Sequence, residues 1–475
     1  MDLKKQTTIS LIWNGIDKVG YQVIALAVGI ITARILTPTD FGYIAALAIF
    51  TTLSNVLVES GFTTALVRRP NNTNEEYTAA FIFNIAISLI FYLALYISAP
   101  FIAGYFKMPA LCSLSRVIFI AIICNAFCII PNIILTKALR FKQIAAADLT
   151  GMVVSAVITI VMTIYGFGYW ALAAQQVSIV AVKAIILCVL CRWYPNKKAD
   201  FHVIQEIFSF SSVLILSSII SNSVKYIYNF YIGPRYSTQD LGYYGQAYKF
   251  HQIPPTVIAS TLTGVAYPVF SSLNGQHERQ MAYFQKIMKI TAFITFPVMI
   301  GLYTIAPEFI SVVITDKWMP MLPYFRLLII AGIITPFYTL SQNILNTIGR
   351  PRTTFAIEFV RNSLIIILLL LIHDTIYRMI IGYIIANYIA IVISQIAVHH
   401  YTGYFIGSQI RHIMPSIFLS LAMAIVISTF SQYFGNIYLC FAMQIVIGIA
   451  IYFILARIFK VQIMNDIISI IKKRQ

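Results

Sequence analysis

Five ionisable side chains stand within stretches of sequence that are otherwise apolar: Asp17, Glu59, Lys225, Lys249 and His251. Carboxylates in an apolar setting can bind and release a proton or a small cation. Ammonium groups in the same setting attract anions, and a phosphate group is a strong partner for them. The two residue types therefore predict two kinds of site, one for a cation and one for an anion.

The stretches around these residues have the composition of membrane helices. Hydrophobic residues make up 59 % of the 475 residues and charged residues only 10 %, whereas soluble domains contain about 25 % charged residues. Blocks of about 20 apolar residues are long enough to cross a bilayer. We therefore predict an all-α polytopic membrane protein with about 14 transmembrane helices. These predicted helices cover residues 9–34, 41–66, 78–98, 113–135, 147–165, 169–191, 207–232, 241–271, 286–305, 323–347, 355–372, 377–398, 413–431 and 437–459.

The basic residues predict the orientation of these helices. The net charge is +17, but Lys and Arg stand in short clusters between apolar blocks, so we expect no nucleic acid as a partner. With the N-terminus inside, cytoplasmic segments hold about 22 of the 33 Lys and Arg residues and outer segments about 7. Both termini are therefore predicted to be cytoplasmic.

One short phrase occurs twice, as TPTDFGY at 37–43 and as STQDLGY at 237–243. Each copy opens a predicted helix on the outer side, where its Asp can cap free N–H groups. Three further matches follow in the same order: Ala99-Pro100 with Ala306-Pro307, Met108-Pro109 with Met319-Pro320, and ILTKALR at 134–140 with ILNTIGR at 344–350. Parallel repeats predict two six-helix lobes with pseudo-twofold symmetry, which is a transporter arrangement.

The repeat divides the chain into four predicted segments. Residues 1–195 form an N-terminal six-helix lobe, and residues 196–206 form a cytoplasmic linker. Residues 207–400 form a C-terminal six-helix lobe, and residues 401–475 hold two extra helices and a basic cytoplasmic tail. A substrate route is expected between the two lobes.

Four stretches together resemble a known family: ARILTPTDFGYIA (33–45), ESGFTTALVRR (59–69), YGFGYWALAAQQ (165–176) and DLGYYGQA (240–247). They are similar to the Wzx-type oligosaccharide flippases of the multidrug/oligosaccharidyl-lipid/polysaccharide exporter superfamily, and especially to the colanic-acid and teichuronic-acid exporter branch. The resemblance covers the chain from Ile12 to about Arg361. It implies an alternating-access carrier in the bacterial inner membrane, surrounded by membrane lipids. Such a carrier flips undecaprenyl-pyrophosphate-linked oligosaccharide repeat units and is coupled to H⁺ or Na⁺.

Other function classes fit the sequence less well. A cation-coupled multidrug antiporter of the same superfamily stays open as an alternative, although it would favour a mainly acidic cavity. A membrane glycosyl polymerase would usually carry a sizeable outer loop, and only short outer loops are predicted. No Walker A phosphate loop is present, which disfavours direct ATP drive. We therefore predict a transporter rather than an enzyme, with no catalytic residues and no cofactor.

The five ionisable residues fall into two groups according to their predicted depth in the bilayer. At about 1.5 Å per residue, Asp17 and Glu59 both lie roughly 10–12 Å from the cytoplasmic ends of their helices. This match predicts an ion-coupling site. Lys225, Lys249 and His251 lie roughly 10–15 Å from the outer ends of their helices, which predicts a binding site for the anionic head group. None of the five recurs at the 200-residue offset, and this asymmetry favours a functional role.

Structural roles stay open for the basic members of this group. Lys225 and Lys249 could instead interact with tyrosines or backbone inside a packed bundle. His251 could donate to a neighbouring carbonyl group.

Other charged residues in the apolar blocks have simpler expected roles. Lys18 is close enough to the membrane surface to snorkel, and Lys183 is a further lysine within an apolar block. Glu358 and Arg361 are three residues apart on one predicted helix, which favours an intrahelical ion pair.

Two residue pairs bear on a hinge and on a metal site. Pro254 and Pro255 remove two backbone donors from the helix that carries Lys249, so a bend or break is expected, either as a hinge or as an ordinary kink.

Cys188 and Cys191 form a CxxC motif, but no second ligand pair follows, so no metal site is predicted.

Overall fold

The computed structural model describes residues 3–464, except residues 70–71, 196–197, 201, 203, 205–217, 220–221, 274, 431–434, 460 and 462. Every regular element within these ranges is a helix. The prediction of an all-α protein is therefore confirmed.

Seven helices come before residue 192. They are α1 (Leu3–Ile35), α2 (Pro38–Arg68), α3 (Asn74–Phe106), α4 (Leu111–Ile118), α5 (Ile120–Lys137), α6 (Phe141–Ile164) and α7 (Tyr169–Cys191). Residues 222–232 are also helical.

Eight further helices of 12 or more residues follow. They are α8 (Thr238–Ser272), α9 (His277–Thr304), α10 (Leu322–Ile333), α11 (Thr335–Thr347), α12 (Pro351–Leu371), α13 (Ile376–Thr402), α14 (Ile406–Phe430) and α15 (Ile437–Ile458). Between α9 and α10 the chain forms a short α-helix (Ala306–Phe309), a π-helical turn (Ile310–Ile314) and a 3₁₀ segment (Asp316–Met321).

Thirteen helical segments in the described ranges are long and apolar enough to cross a membrane, counting α4 with α5 as one and the 3₁₀ segment with α10 and α11 as another. Each overlaps one of the fourteen predicted helices. Half of the remaining predicted helix, 207–232, lies on residues that the structure does not describe, and its residues 222–232 are helical.

The outward faces of these helices are apolar. Phe101 is 78 % exposed, and Ile90 and Val189 are exposed to a similar degree. Soluble monomers rarely expose contiguous apolar surface of this extent, whereas lipid tails solvate it. The chain is therefore a multi-pass membrane protein.

Local sequence decides where helix α3 begins and ends. The Thr73 hydroxyl accepts a hydrogen bond from the Glu76 backbone N–H, and the Glu76 carboxylate accepts one from the Thr73 N–H. This capping box satisfies backbone donors that have no partner inside the helix. At the other end, Lys107 adopts a left-handed conformation with φ of 56°, which stops the helix before the Met-Pro pair.

The chain forms two compact units, Met1–Gly245 and Gln246–Gln475. In the first unit, buried Cys128, Ala147 and Leu187 join α5, α6 and α7. In the second unit, buried Phe284 and Phe337 belong to a larger core that joins α9, α11 and α13. The four predicted segments, with boundaries at residues 195, 206 and 400, stay a prediction.

Candidate functional site

Both copies of the repeated phrase build the same helix start. Asp40 Oδ2 accepts hydrogen bonds from the Thr37 N–H (2.9 Å) and hydroxyl (2.7 Å). Asp240 Oδ2 accepts from the Ser237 N–H (3.3 Å) and hydroxyl (2.6 Å). In return, the Thr37 and Ser237 hydroxyl oxygens accept from the Asp40 and Asp240 backbone N–H groups. Each Asp thus completes a capping box in which Thr37 or Ser237 is the N-cap residue.

The glycines of the two copies bring α2 and α8 into backbone contact within the first unit. A Cβ added at Gly42 would lie 1.9 Å from the Thr238 carbonyl oxygen, and one added at Gly242 would lie 1.9 Å from the Pro38 carbonyl oxygen. The two contacts are reciprocal, because each joins equivalent positions of the two copies. Such an exchange is typical of an interface with two-fold symmetry. The phrase therefore has a packing role that any larger residue at these glycines would disturb.

Residues of a third family stretch, 165–176, pack against the start of α2. A Cβ at Gly168 would lie 3.0 Å from Asp40 Oδ1, and Gly168 has a φ of +56°, which favours glycine. The next residue, Tyr169, packs its ring 4.9 Å from that of Tyr43. Residues from three of the four family stretches, 33–45, 165–176 and 240–247, thus pack against one another at this helix start.

An ion pair lies between α6 and α7 in the first unit. Lys183 Nζ and Asp148 Oδ1 are 2.6 Å apart, and both side chains are mostly buried. Gly151, one turn after Asp148, makes this possible: a Cβ there would lie 2.9 Å from the Ile179 carbonyl oxygen. The two backbones therefore approach closely enough for the short Asp148 side chain to reach Lys183.

Asp17 on α1 lies beside this pair. It is partly buried, and both Asp148 and Lys183 act electrostatically on it. Gly20 packs α1 against Leu149 of α6, with 3.0 Å between its virtual Cβ and Leu149 Cδ2. No described residue offers a hydrogen bond to Asp17 Oδ1, although that atom is buried. Asp17, Asp148 and Lys183 together carry one net negative charge, which a bound cation or proton would neutralise. Lys18, the exposed next residue on α1, is a further positive charge that acts on Asp17 more weakly than Lys183 does.

The predicted partner of Asp17 was Glu59, and the side chain of Glu59 lies outside the described residues. The carboxylate that the structure brings to Asp17 is Asp148, which sequence reasoning missed. One reason is the start of α6. The predicted helix began at residue 147, whereas α6 begins at Phe141, so Asp148 stands two turns inside the helix rather than at its end.

The second unit contains the predicted intrahelical pair. Arg361 Nη2 lies 2.8 Å from Glu358 Oε1 on α12, which confirms that prediction. The Arg361 guanidinium also stacks over the Tyr338 ring of α11, 4.9 Å from its centroid. Arg361 is therefore oriented by one carboxylate and one aromatic face.

Tyrosines extend this polar region toward α8 and α13. The Gln252 side chain donates to the Tyr248 hydroxyl (2.9 Å), and the Tyr248 hydroxyl is hydrogen-bonded to Tyr383. Arg361 acts electrostatically on Tyr383. The region offers hydroxyl groups, an amide and a guanidinium, which are the groups that bind sugars and phosphates.

The three basic residues predicted for substrate binding have different surroundings. Lys225, in the first unit, is exposed and has its ammonium 5.4 Å from the Tyr226 ring centroid. Lys249, in the second unit, is also exposed. His251 is only 2 % exposed, and its ring lies 5.0 Å from that of Tyr248. The joint binding site for a head group stays a prediction.

The helix that carries Lys249 continues through both prolines. Helix α8 runs unbroken from Thr238 to Ser272, so the chain does not break at Pro254 and Pro255. Pro255 packs against α10, since a Cβ at Gly332 would lie 3.4 Å from Pro255 Cγ. A hinge at this position stays a prediction.

Solved membrane transporters share this fold. The lipid II flippase MurJ in an inward closed conformation superposes with a TM-score of 0.80 and 16 % identity, over 96 % of this chain and 100 % of that structure. An inward-facing MATE multidrug resistance transporter of the MOP superfamily superposes with a TM-score of 0.63 and 15 % identity, over 81 % of this chain and 96 % of that one.

Named bacterial relatives are also similar in sequence. The teichuronic acid biosynthesis protein TuaB of Bacillus subtilis is 24 % identical over 366 residues, which are 74 % of each chain. The succinoglycan biosynthesis transport protein ExoT of Rhizobium meliloti is 26 % identical over 337 residues, 70 % of this chain and 68 % of that one. The lipopolysaccharide biosynthesis protein WzxC of Escherichia coli is 21 % identical over 345 residues, again 70 % and 68 %. A family model described as polysaccharide biosynthesis protein matches residues 31–323. The chain therefore belongs to the polysaccharide biosynthesis protein family.

Proposed function

We propose that this protein is a flippase that moves undecaprenyl-pyrophosphate-linked oligosaccharide repeat units across the bacterial inner membrane by alternating access. Membership of the polysaccharide biosynthesis family carries the proposal. It is supported by the names of the relatives, which refer to teichuronic acid, succinoglycan and lipopolysaccharide. The fold shared with a lipid II flippase is compatible with a lipid-linked cargo. Both termini are proposed to face the cytoplasm.

Lys225 and Lys249 are proposed to bind the pyrophosphate of the cargo. Both side chains are exposed although their helices belong to a membrane protein. An ammonium group inside a membrane protein is costly unless it is hydrated or paired, and a pyrophosphate would pair with it during transport. His251, two residues after Lys249 on the same helix, is buried and is kept as a third proposed substrate-binding residue.

Asp17 is proposed to carry the coupling ion, H⁺ or Na⁺. Its buried Oδ1 atom and the neighbouring Asp148–Lys183 pair support this role. A cation bound by Asp17 would cancel the remaining negative charge of the cluster. Glu59 is kept as a second proposed ion-coupling residue on the strength of its predicted depth.

A cation-coupled multidrug antiporter is the second candidate. The cluster of Asp17, Asp148 and Lys183 has one net negative charge, which suits a site for a cation, and MATE transporters share the fold. The exposed lysines oppose a cationic cargo. The two candidates therefore differ in the sign of the cargo charge.

The test is binding of an undecaprenyl-pyrophosphate-linked glycan to purified protein at equal expression. Lys225→Arg keeps the positive charge and should retain most of the affinity. Lys225→Glu should weaken binding at least tenfold, because it replaces a charge-assisted contact of about 1.5–3 kcal/mol by repulsion.

Two outcomes would contradict the proposal. One is equal affinity of Lys225→Glu, Lys249→Glu and the parent protein for the lipid. The other is transport of cationic drugs, with no transport of lipid-linked glycan, by the parent protein in proteoliposomes; that outcome would favour the antiporter.

A further inference from the structure

Two adjoining cavities in the second unit share three basic residues. One cavity has a volume of about 680 Å³ and the other about 760 Å³. Lys289 of α9 and Arg411 and His412 of α14 line both of them. Both volumes are in the range of small-molecule binding sites, about 300–1,000 Å³.

The walls of the two cavities differ in polarity. The smaller cavity is bounded mainly by apolar side chains of α14 and α15, including Phe418, Leu455 and Phe459. Phe418 is 62 % and Phe459 69 % exposed, so this cavity is open toward the apolar surface. The lining of the larger cavity is more polar and includes Glu278, Gln285 and Ser408. The three basic residues therefore stand where an apolar space meets a polar one.

The junction lies near helix ends that the predicted topology places on the cytoplasmic side. Arg411 and His412 are in the second turn of α14, which begins at Ile406. Phe459 directly follows the last residue of α15. Lys289 lies close to the predicted membrane boundary of its helix, at residue 286. An apolar-to-polar transition at this depth is where the glycerol and phosphate groups of a phospholipid lie.

Lys289 and Arg411 place positive charge beside His412, and both act electrostatically on it. Arg411 is exposed, and it takes part in none of the ion pairs between described side chains. Glu278 is the one carboxylate among the described residues that line the two cavities.

A tyrosine fixes the orientation of the histidine. The Tyr404 hydroxyl lies 2.7 Å from His412 Nδ1. Burial raises the pKa of Tyr404 to about 12, so the hydroxyl stays protonated near neutral pH and can donate to Nδ1. His412 then has its Nε2–H group available as a further hydrogen-bond donor.

We propose that this junction is a binding site for an anionic membrane phospholipid. The phosphate would be held by Lys289, Arg411 and His412, and an acyl chain would lie in the apolar cavity against Phe418 and Phe459. Basic pockets between membrane helices on the cytoplasmic side are a known way to hold such head groups. Free phosphate would leave the apolar cavity unused, so a lipid is the occupant that fits both halves. This site is separate from the cluster around Asp17 and does not depend on the proposed cargo.

Native mass spectrometry of the purified full-length chain in detergent tests the proposal. Phosphatidylglycerol is added to the parent protein and to the variant Lys289→Gln/Arg411→Gln, and phosphatidylcholine and inorganic phosphate are added in parallel. The parent should bind phosphatidylglycerol selectively. The double variant should bind it about 30-fold more weakly, which corresponds to about 2 kcal/mol at 1.4 kcal/mol per tenfold change.

The control is Arg279→Gln, since Arg279 is an exposed arginine of α9 that lines neither cavity. It should bind phosphatidylglycerol like the parent. Lys289→Arg keeps the charge and should also bind. Equal binding of phosphatidylcholine and phosphatidylglycerol by the parent would overturn the proposal, as would unchanged binding by a folded double variant. Displacement of the lipid by millimolar inorganic phosphate would identify a free-anion site instead. Loss of undecaprenyl-pyrophosphate binding alone in the double variant would assign the junction to the cargo.

Discussion

At the scale of single residues, the most specific prediction concerns the proposed role of Asp17 in ion coupling. Its buried Oδ1 atom has no hydrogen-bond partner among the described residues, and Asp148, Lys183 and the more weakly acting Lys18 are its charged neighbours. Asp17→Asn removes the charge but keeps the shape. We expect flipping by this variant to proceed at the same rate with and without an imposed pH or Na⁺ gradient, measured in proteoliposomes.

The control for Asp17→Asn is Asp374→Asn, which removes an exposed carboxylate paired with Arg378 at the surface. That variant should keep the gradient response of the parent protein. Full gradient dependence in a folded Asp17→Asn variant would contradict the assignment of the ion site.

The Asp148–Lys183 pair gives a prediction about stability. Lys183→Gln leaves the carboxylate of Asp148 mostly buried without its 2.6 Å partner, and a buried polar group that loses its partner costs roughly 1–3 kcal/mol. The single variant should therefore melt at a lower temperature than the parent in detergent. Asp148→Asn/Lys183→Gln should recover most of the loss, because neither position then holds an unpaired charge. A double variant less stable than the single one would show that the pair is not the reason for the loss.

At the scale of helices, the contact between α2 and α8 is the feature most sensitive to a small change. A methyl group at Gly42 would overlap the Thr238 carbonyl oxygen, only 1.9 Å away, so the helices would have to separate. Overpacking of this kind typically costs about 1–3 kcal/mol. We expect Gly42→Ala to lower the melting temperature clearly.

The matched control lies on one of the same helices. Gly264 of α8 has nothing within 4 Å of its virtual Cβ. Gly264→Ala should therefore be neutral or stabilising by up to about 1 kcal/mol, because Ala is the better helix former. If the two substitutions have equal effects on melting, close backbone contact is not what α2 and α8 require.

Helix positions were largely predictable from the sequence, whereas side-chain partners were not. Apolar blocks of about 20 residues predict spans well because a bilayer demands that length. The Glu358–Arg361 pair was also predictable, because both residues lie on one helix three positions apart. The Asp148–Lys183 pair was missed because it joins two helices, and its geometry depends on the close approach at Gly151. The basic junction at Lys289 was missed for the same reason, since its residues come from separate helices.

At the scale of the whole molecule, the orientation in the membrane is the property to test. The excess of Lys and Arg in the segments predicted to be cytoplasmic is about threefold. In a variant without cysteines, Lys473→Cys should not react with a membrane-impermeant thiol reagent in intact cells and should react after permeabilisation. Labelling in intact cells would reverse the predicted topology. It would also move the proposed phospholipid site to the other leaflet.

The reciprocal contact at Gly42 and Gly242 bears on how such a chain can evolve after gene duplication. A side chain added in one copy meets the backbone of the other copy, at Thr238 or at Pro38. A second mutation cannot remove a backbone atom, so drift at one glycine has no compensating change at its counterpart. The ionisable residues show no such pairing between the copies, since the positions equivalent to Lys225 and Lys249 hold Ala25 and Ile49. The two halves can therefore diverge at their ionisable residues as they adapt to new cargo. They cannot diverge at Gly42 and Gly242, where α2 and α8 are in contact.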